Sequence, residues 1–431
     1  MRKTMMVWSA CAAALVPALA ASTAAADGTP VQAVGQQATS TQAANSSATS
    51  TQNSPSNTAI HVAILSPGAA SGATSQANAS AANSSAANGN GTTQNAQQNA
   101  GGGSAAQEIG QAAANAQSAT SAATSTQTNP TNTAIHVAIL SPGASSGATS
   151  QANGSTANSS ADNGNGTTQN AQQNAGGGGG GGGGAVQAVG QDAASHQAAD
   201  SAGTSTQSGA SNTAVDVAIL SPGASSGPVS QANASTANSS AANHNGTTQN
   251  AQQNAGGPTA EPPVREQDGG GCGSCHSAPS VPGVQGIGQQ AVNDQSADSA
   301  ATSTQTNPTN TAISLAILSP GASSGPVSQA NASTANSSAA NRNGTTQNAQ
   351  QTLGGWGGGV QAIGQLAANR QSADSAATST QWCPANLALG GFGGVSQANG
   401  STANSSAGNG NGTTQNALQA LAGFPWPVTL V

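Results

Sequence analysis

From Val34, every second residue reads V-Q-A-S-Q-A-S-A-S-Q as far as Gln52. The same alternation restarts at Ile109, Val189, Ile287 and Ile363, with almost the same letters. The intervening positions drift from one stretch to the next. They also hold the charges of these stretches: Asp192, Asp200, Asp294, Asp298, Arg370 and Asp374. A later block behaves alike. From Val229 it reads V-Q-N-S-A-S-A-N-N-T-Q-A-Q on alternate positions, and the variable residues Asp162, His244 and Arg342 fall on the opposite parity. A fixed face and a tolerant, charge-bearing face at period two predict β-strands with one face buried. Between the two blocks, Ile60, Val62 and Ile64 alternate with His61, Ala63 and Leu65. The equivalents are Ile135/Val137/Ile139, Val215/Val217/Ile219 and Ile313/Leu315/Ile317. These β-branched runs supply the apolar part of the pattern and predict strands closed by a Ser-Pro-Gly turn.

The pattern is organised into five copies. V/I-G-Q recurs at Val34, Ile109, Val189, Ile287 and Ile363, and NGTTQNA begins at Asn90, Asn165, Asn245, Asn343 and Asn411. AILSPG begins at Ala63, Ala138, Ala218 and Ala316. Gln36 to Ser66 spans 30 residues, as do Gln111 to Ser141, Gln191 to Ser221 and Gln289 to Ser319. Spacing is rigid within a copy and variable only at the joints, which a disordered spacer has no reason to maintain. The copies occupy 31–98, 106–173, 186–253 and 284–351, with a degenerate fifth at 360–419 that loses LSPG and a tail at 420–431. The fold class expected is all-β, an elongated repeat β-solenoid with Gly-rich joints. Dividing each copy into three coils of about 20 to 24 residues predicts about fifteen rungs and a length of roughly 70 Å. Residues from about 382 onward, with Trp382, Phe392, Phe424 and Trp426, are expected to cap the stack, because terminal repeats are often atypical.

Composition narrows the interior. The 431 residues are 35% hydrophobic, 4% charged and 1% aromatic, which excludes an ordinary core of large side chains. Disorder driven by charge is excluded as well. Buried amides are tolerable only when paired, and stacked copies supply the pairs as Gln and Asn ladders. The ladder residues expected are Gln36, Gln42 and Gln52, Gln111, Gln117 and Gln127, Gln191, Gln197 and Gln207, Gln289, Gln295 and Gln305, and Gln365, Gln371 and Gln381.

These amides, with Ala and Ser on alternate positions, resemble the curlin repeats of curli-type bacterial fibre subunits. The resemblance rests on Gln36, Gln42 and Gln52 in the first block and Gln76, Asn78 and Gln94 in the last, with counterparts in each copy. It implies a secreted, amyloid-like solenoid that stacks end to end into fibres, with other surface proteins as further partners. The spacing of Gln36, Gln42 and Gln52 is not that of curlin units, which also lack the AILSPG strand.

The N-terminus agrees with export. Arg2 and Lys3 precede an apolar run from Met5 to Leu19, and Ala18-Leu19-Ala20 or Ala24-Ala25-Ala26 offers a cleavage site. Residues 1–26 therefore read as a secretory signal peptide, placing the protein outside the cell or at its surface. No later run approaches the ~20 apolar residues of a membrane span. Without the leader the chain holds 3 basic and 12 acidic residues, a charge of −9, and no basic patch for nucleic acid.

Candidate chemistry is sparse. The joints at 101–103, 176–184 and 354–359 lack the GK[ST] of a phosphate loop and read as flexible linkers. The insert at 254–283 contains Cys272-Gly273-Ser274-Cys275-His276, which matches the C-x-x-C-H pattern of c-type haem attachment. A local Cys272–Cys275 disulfide is the other reading, and no Met remains after the leader to serve as axial ligand. A zinc site would need a second ligand pair nearby. The fold calls for no cofactor and no metal, and no Ser/His/Asp set recurs, so no enzyme is expected. A haem-bearing electron-transfer protein with the repeats as scaffold is the alternative. His61 and His136 occupy a column where later copies place Asp216 and Ser314, and a solvated face is expected for them. The outward pairs Thr49/Thr51, Thr124/Thr126, Thr204/Thr206, Thr302/Thr304 and Thr378/Thr380 resemble the T-x-T ladders of ice-binding solenoids. Such a ladder needs a pair on every rung, whereas the pair occurs once per copy.

Overall fold

The computed structural model describes residues 31–100, 106–176, 186–256, 283–354, 359–390 and 393–422. The leader, most of the linker glycines, Trp356, Phe392, Phe424, Trp426 and the insert bearing Cys272, Cys275 and His276 lie outside the described residues. Among those residues the elements are all strands. Copy one contributes β1 (Val31–Asn53), β2 (Ser56–Ile64) and β3 (Thr74–Ala100); copy two, β4 (Ala106–Thr128), β5 (Thr131–Ile139) and β6 (Thr149–Ala175). Copy three contributes β7 (Val186–Ser208), β8 (Ser211–Ile219), the two-residue β9 (Ser225–Ser226) and β10 (Val229–Ala255). Copy four contributes β11 (Val284–Thr306), β12 (Thr309–Ile317), β13 (Ser323–Ser324) and β14 (Val327–Gly354). The fifth contributes β15 (Val360–Trp382), β16 (Ala385–Leu389) and β17 (Val395–Ala422).

Like strands stack on like. Three parallel five-stranded sheets form, in the orders β1-β4-β7-β11-β15, β2-β5-β8-β12-β16 and β3-β6-β10-β14-β17. Register is unbroken from the first to the last residue of each long strand: Gln36 pairs with Gln111, Gln111 with Gln191, and Gln289 with both Gln191 and Gln365. Each copy is therefore one rung, and the molecule has five rungs. The expected division into three coils per copy is overturned by this register. The reason lies in side-chain size. A core of Ala, Ser and amides leaves no hollow to wrap around, so the two long strands of a copy lie face to face. The rung grows in width. A 23-residue strand such as β1 spans about 75 Å, whereas five rungs at ~4.8 Å rise only about 24 Å.

The path within a rung follows from its corners. β1 and β2 run in one layer, joined by Ser54-Pro55, where Ser54 has φ +49°. Asn129, Gly209, Asn307 and Cys383 repeat this left-handed corner. The chain then reverses at the Ser-Pro-Gly turn. Pro67 and Gly68 occupy its centre, Gly68 has φ +70°, and Ala69 N–H donates to Ser66 O at 3.2 Å. Positive φ at the second central residue is what favours glycine there. β3 returns opposite β2 and then β1, so that Gln36 near the start of β1 reaches Asn95 near the end of β3.

The interior is made of small groups. Ala86, Ala119, Ala161, Ala199, Ala241, Ala297 and Ala339 form one apolar column, and Ile109, Val189 and Ile287 anchor another. Beside the first column, on the side away from the second, runs a zigzag of hydroxyls that crosses from sheet to sheet: Ser84 donates to Ser46, Ser121 to Ser84, Ser159 to Ser121 and Ser201 to Ser159, each at 2.9 Å. Such chains polarise one another and strengthen cooperatively. Residues 385–389 and 395–422 pair as ordinary strands of the fifth rung. They extend the stack rather than cap it, because their inward residues repeat those of the rung before.

Candidate functional site: the ladder ends, the channel and the outer faces

The expected ladder glutamines line the inner face of the first long sheet. Gln111 Nε2 donates to Gln36 Oε1 at 2.9 Å, Gln191 to Gln111 at 2.8 Å, Gln289 to Gln191 at 2.8 Å and Gln365 to Gln289 at 2.8 Å. Gln42, Gln117, Gln197, Gln295 and Gln371 form a second ladder, and Gln52, Gln127, Gln207, Gln305 and Gln381 a third. The second amide proton is used too: Gln191 Nε2 also donates to Asn250 O at 3.1 Å, tying one long sheet to the other. Gln76, Gln94 and Gln98 start three more ladders in the facing sheet.

The ladders have a direction. In every glutamine-to-glutamine bond the donor lies on the later rung and donates toward the first. The inner asparagines run the other way: Asn57 donates to Asn132, Asn132 to Asn212, Asn212 to Asn310 and Asn310 to Asn386. At the fifth rung Gln365, Gln371 and Gln381 donate inward, and among the described residues nothing donates to their Oε1 atoms. At the first rung Gln36, Gln42 and Gln52 accept from rung two, and their side chains have no amide below them to donate to. The two ends are thus complementary: the glutamines leave acceptors free at rung five and donors at rung one, and the asparagine ladders run in the opposite sense. Their strands are paired on one side only, which leaves rows of backbone N–H and C=O groups open at both ends.

The short sheet departs from expectation. Its inward residues are Asn57, Ala59, His61 and Ala63, while Ile60, Val62 and Ile64 point outward at 60%, 56% and 54% exposure. His136 is buried, so the solvated face expected for this column is incorrect. The left-handed corner is the cause. It breaks the alternation at Ser54-Pro55, and the inward parity changes from even at Gln52 to odd at Asn57. The His61 and His136 rings stack at 4.9 Å with planes 3° apart. His136 Nδ1 lies 3.3 Å from Ser71 Oγ and its Nε2 3.5 Å from Thr149 Oγ1.

This column continues through Asp216 and Ser314 and lines a groove of about 520 Å³, with Ser71, Ser146 and Ser226 on the opposite wall. Burial, and secondarily the neighbouring His61 ring, hold the His136 pKa below the usual imidazole range. Burial pushes the Asp216 carboxyl up to about 6 despite hydrogen bonds to Ser226 and Ser146 that act the other way. The sequence carried one sign of this site, the parity change across Ser54-Pro55, but no charge pattern announced it. Across the described residues, no three His, Cys, Asp or Glu side chains converge in a way that could hold a metal ion.

Two outer features complete the surface. Asp200, Asp298 and Asp374 stack on the solvent face of the first long sheet, and burial first, then the adjacent carboxylates, raises the pKa of Asp200 and Asp298. Two outward columns nearer the start of the strands, His196 Nδ1 meets Asp294 Oδ2 at 3.4 Å. Because each copy is one rung, the threonine pairs occur on every rung in direct register. The objection that they are too sparse for a ladder no longer stands. No helix among the described residues is long and apolar enough to cross a membrane. No family model, curated protein or solved structure matches the chain.

Proposed function

We propose that this is a secreted structural protein whose subunits add end to end into amyloid-like fibres, at a cell surface or in an extracellular matrix, in the manner of curlin-type subunits. The observation that carries the reading is the complementarity of the two ends. Rung five presents glutamine acceptors and rung one glutamine donors, with the asparagines reversed, and the long strands of the two rungs match closely in length. A head-to-tail contact between unlike surfaces does not close on itself and generates a filament. Each junction would complete the same ladders that already join the rungs. The low lysine and arginine content removes one common guard against edge pairing. The outward Ile60, Val62 and Ile64 ladder gives neighbouring filaments a lateral contact, since the natural complement of a flat in-register ladder is a second copy of it.

The test separates the faces. The secreted chain at tens of micromolar should convert, after a lag shortened by seeds, into thioflavin-positive filaments. Gln191→Lys places an ammonium in the ladder, whereas Asp192→Lys changes only the solvent face. The first should slow conversion far more than the second. Equal effects would sink the reading.

A further inference from the structure

The solvent face of the first long sheet is variable almost everywhere. The column at Gln37 holds Ala112, Asp192, Gln290 and Leu366, and the column at Thr41 holds Ala116, His196, Asp294 and Arg370. Against that drift, the columns beginning at Thr49 and Thr51 are threonine in all five rungs. Strand propensity favours threonine anywhere on such a face; it does not explain why two adjacent columns alone keep it. No buried partner explains it either, since among the described residues none of these ten hydroxyls is hydrogen-bonded to another protein group. Gln52 and Ser50, on the opposite parity, already meet the needs of the core.

We propose that these ten threonines form a binding face for ice. The ligand is a lattice of water, so the binding face must itself be a lattice. Along each strand the two hydroxyls are two residues apart, about 6.7 Å, and between rungs they repeat at ~4.8 Å. Both repeats are close to the oxygen spacings on the prism plane of hexagonal ice. The β-branched side chain has a restricted χ1, so stacked threonines present methyl and hydroxyl in one fixed orientation rather than as an average over rotamers. The surroundings are suitable. The flanking column at Ser47 continues as Ala122, Ala202, Ala300 and Ala376, and the one at Asn53 as Thr128, Ser208, Thr306 and Trp382. None is charged, and charge begins only at the column of Asp200, Asp298 and Asp374. Beneath, the Gln52 and Ser50 ladders hold the strands in register, so the array is stiff.

The face lies on the side of the stack, away from the ends, and this inference does not depend on fibre formation. Its test is uptake into slowly grown ice, using the full secreted chain below the concentration at which it associates. The chain should be enriched in the ice fraction. Thr206→Tyr, in the middle rung, should lower that enrichment at least tenfold. Thr248→Tyr, in the outward column of the facing long sheet that is threonine in all five rungs but has no threonine column beside it, should leave it unchanged. Should the tyrosine variant lose its strand signal in circular dichroism, Thr206→Ser, which removes only a methyl group, should still lower uptake several-fold. Exclusion of the unaltered chain from ice would overturn the inference, as would equal losses from the substitutions at 206 and 248.

Discussion

At the scale of single residues, stability rests on amides that would be costly in any other setting. Gln249 is fully buried; it donates to Gln169 Oε1 and Gln290 O and accepts from Gln347. Removing it would leave those partners unsatisfied, at about 1 to 3 kcal/mol for each buried group. Asp216 is the opposite case, a half-buried carboxyl with no lysine or arginine beside it. Its folded pKa of about 6 lies above the ordinary 3.8. The native state therefore holds the proton longer than the unfolded chain, and stability falls as pH rises through that window. Asp216→Asn should raise stability by about 2 kcal/mol at pH 7, with the gain gone by pH 4, as read from urea unfolding at the two pH values. The groups facing this carboxyl on neighbouring rungs are His136 and Ser314, with Ser146 and Ser226 across the groove. His136 acts in the reverse sense. Its lowered pKa withdraws stability as pH falls below 6.5. A gain from Asp216→Asn that persisted at pH 4 would show that burial of charge is not its source.

At the scale of elements, each strand is specified by parity and each corner by a local conformation. Parity was legible: the fixed letters from Val34 to Gln52 are the inward residues of β1, and the drifting letters face solvent. Rung size was not. A coil of 20 to 24 residues suits a solenoid that wraps around a hollow, and nothing in the composition alone says that Ala and Ser columns flatten it. The signal was present in another form. Ladder partners are separated by 75, 80, 98 and 76 residues, which are the copy repeats themselves. The short sheet was misread because a left-handed residue before proline resets parity, and φ cannot be read from Ser54, Asn129 or Cys383 by residue type. Close packing also explains Gly227, where an added Cβ would sit 2.6 Å from the Gly147 backbone of the rung below. If copies are interchangeable rungs, excising one whole copy with its joint, residues 177–256, should leave a four-rung stack. Ile109 would then pair with Ile287 as it now pairs with Val189. Its circular dichroism per residue should match the parent, and a loss of strand signal would show that the rungs are not equivalent.

At the scale of the whole molecule, five rungs make an object wider than it is tall, with both broad edges open. Its backbone ladders and amide ladders run between rungs, so it behaves as a one-dimensional array in which each added rung brings the same interface. Fibre growth is the continuation of that rule beyond one chain. The most direct measurement is fibre diffraction from aligned filaments of the secreted chain. Continued stacking predicts a meridional reflection at ~4.8 Å, from strands perpendicular to the filament axis, with a subunit repeat of about 24 Å for five rungs. Strands lying along the axis, or a chain that stays monomeric in sedimentation at tens of micromolar with seeds present, would contradict it.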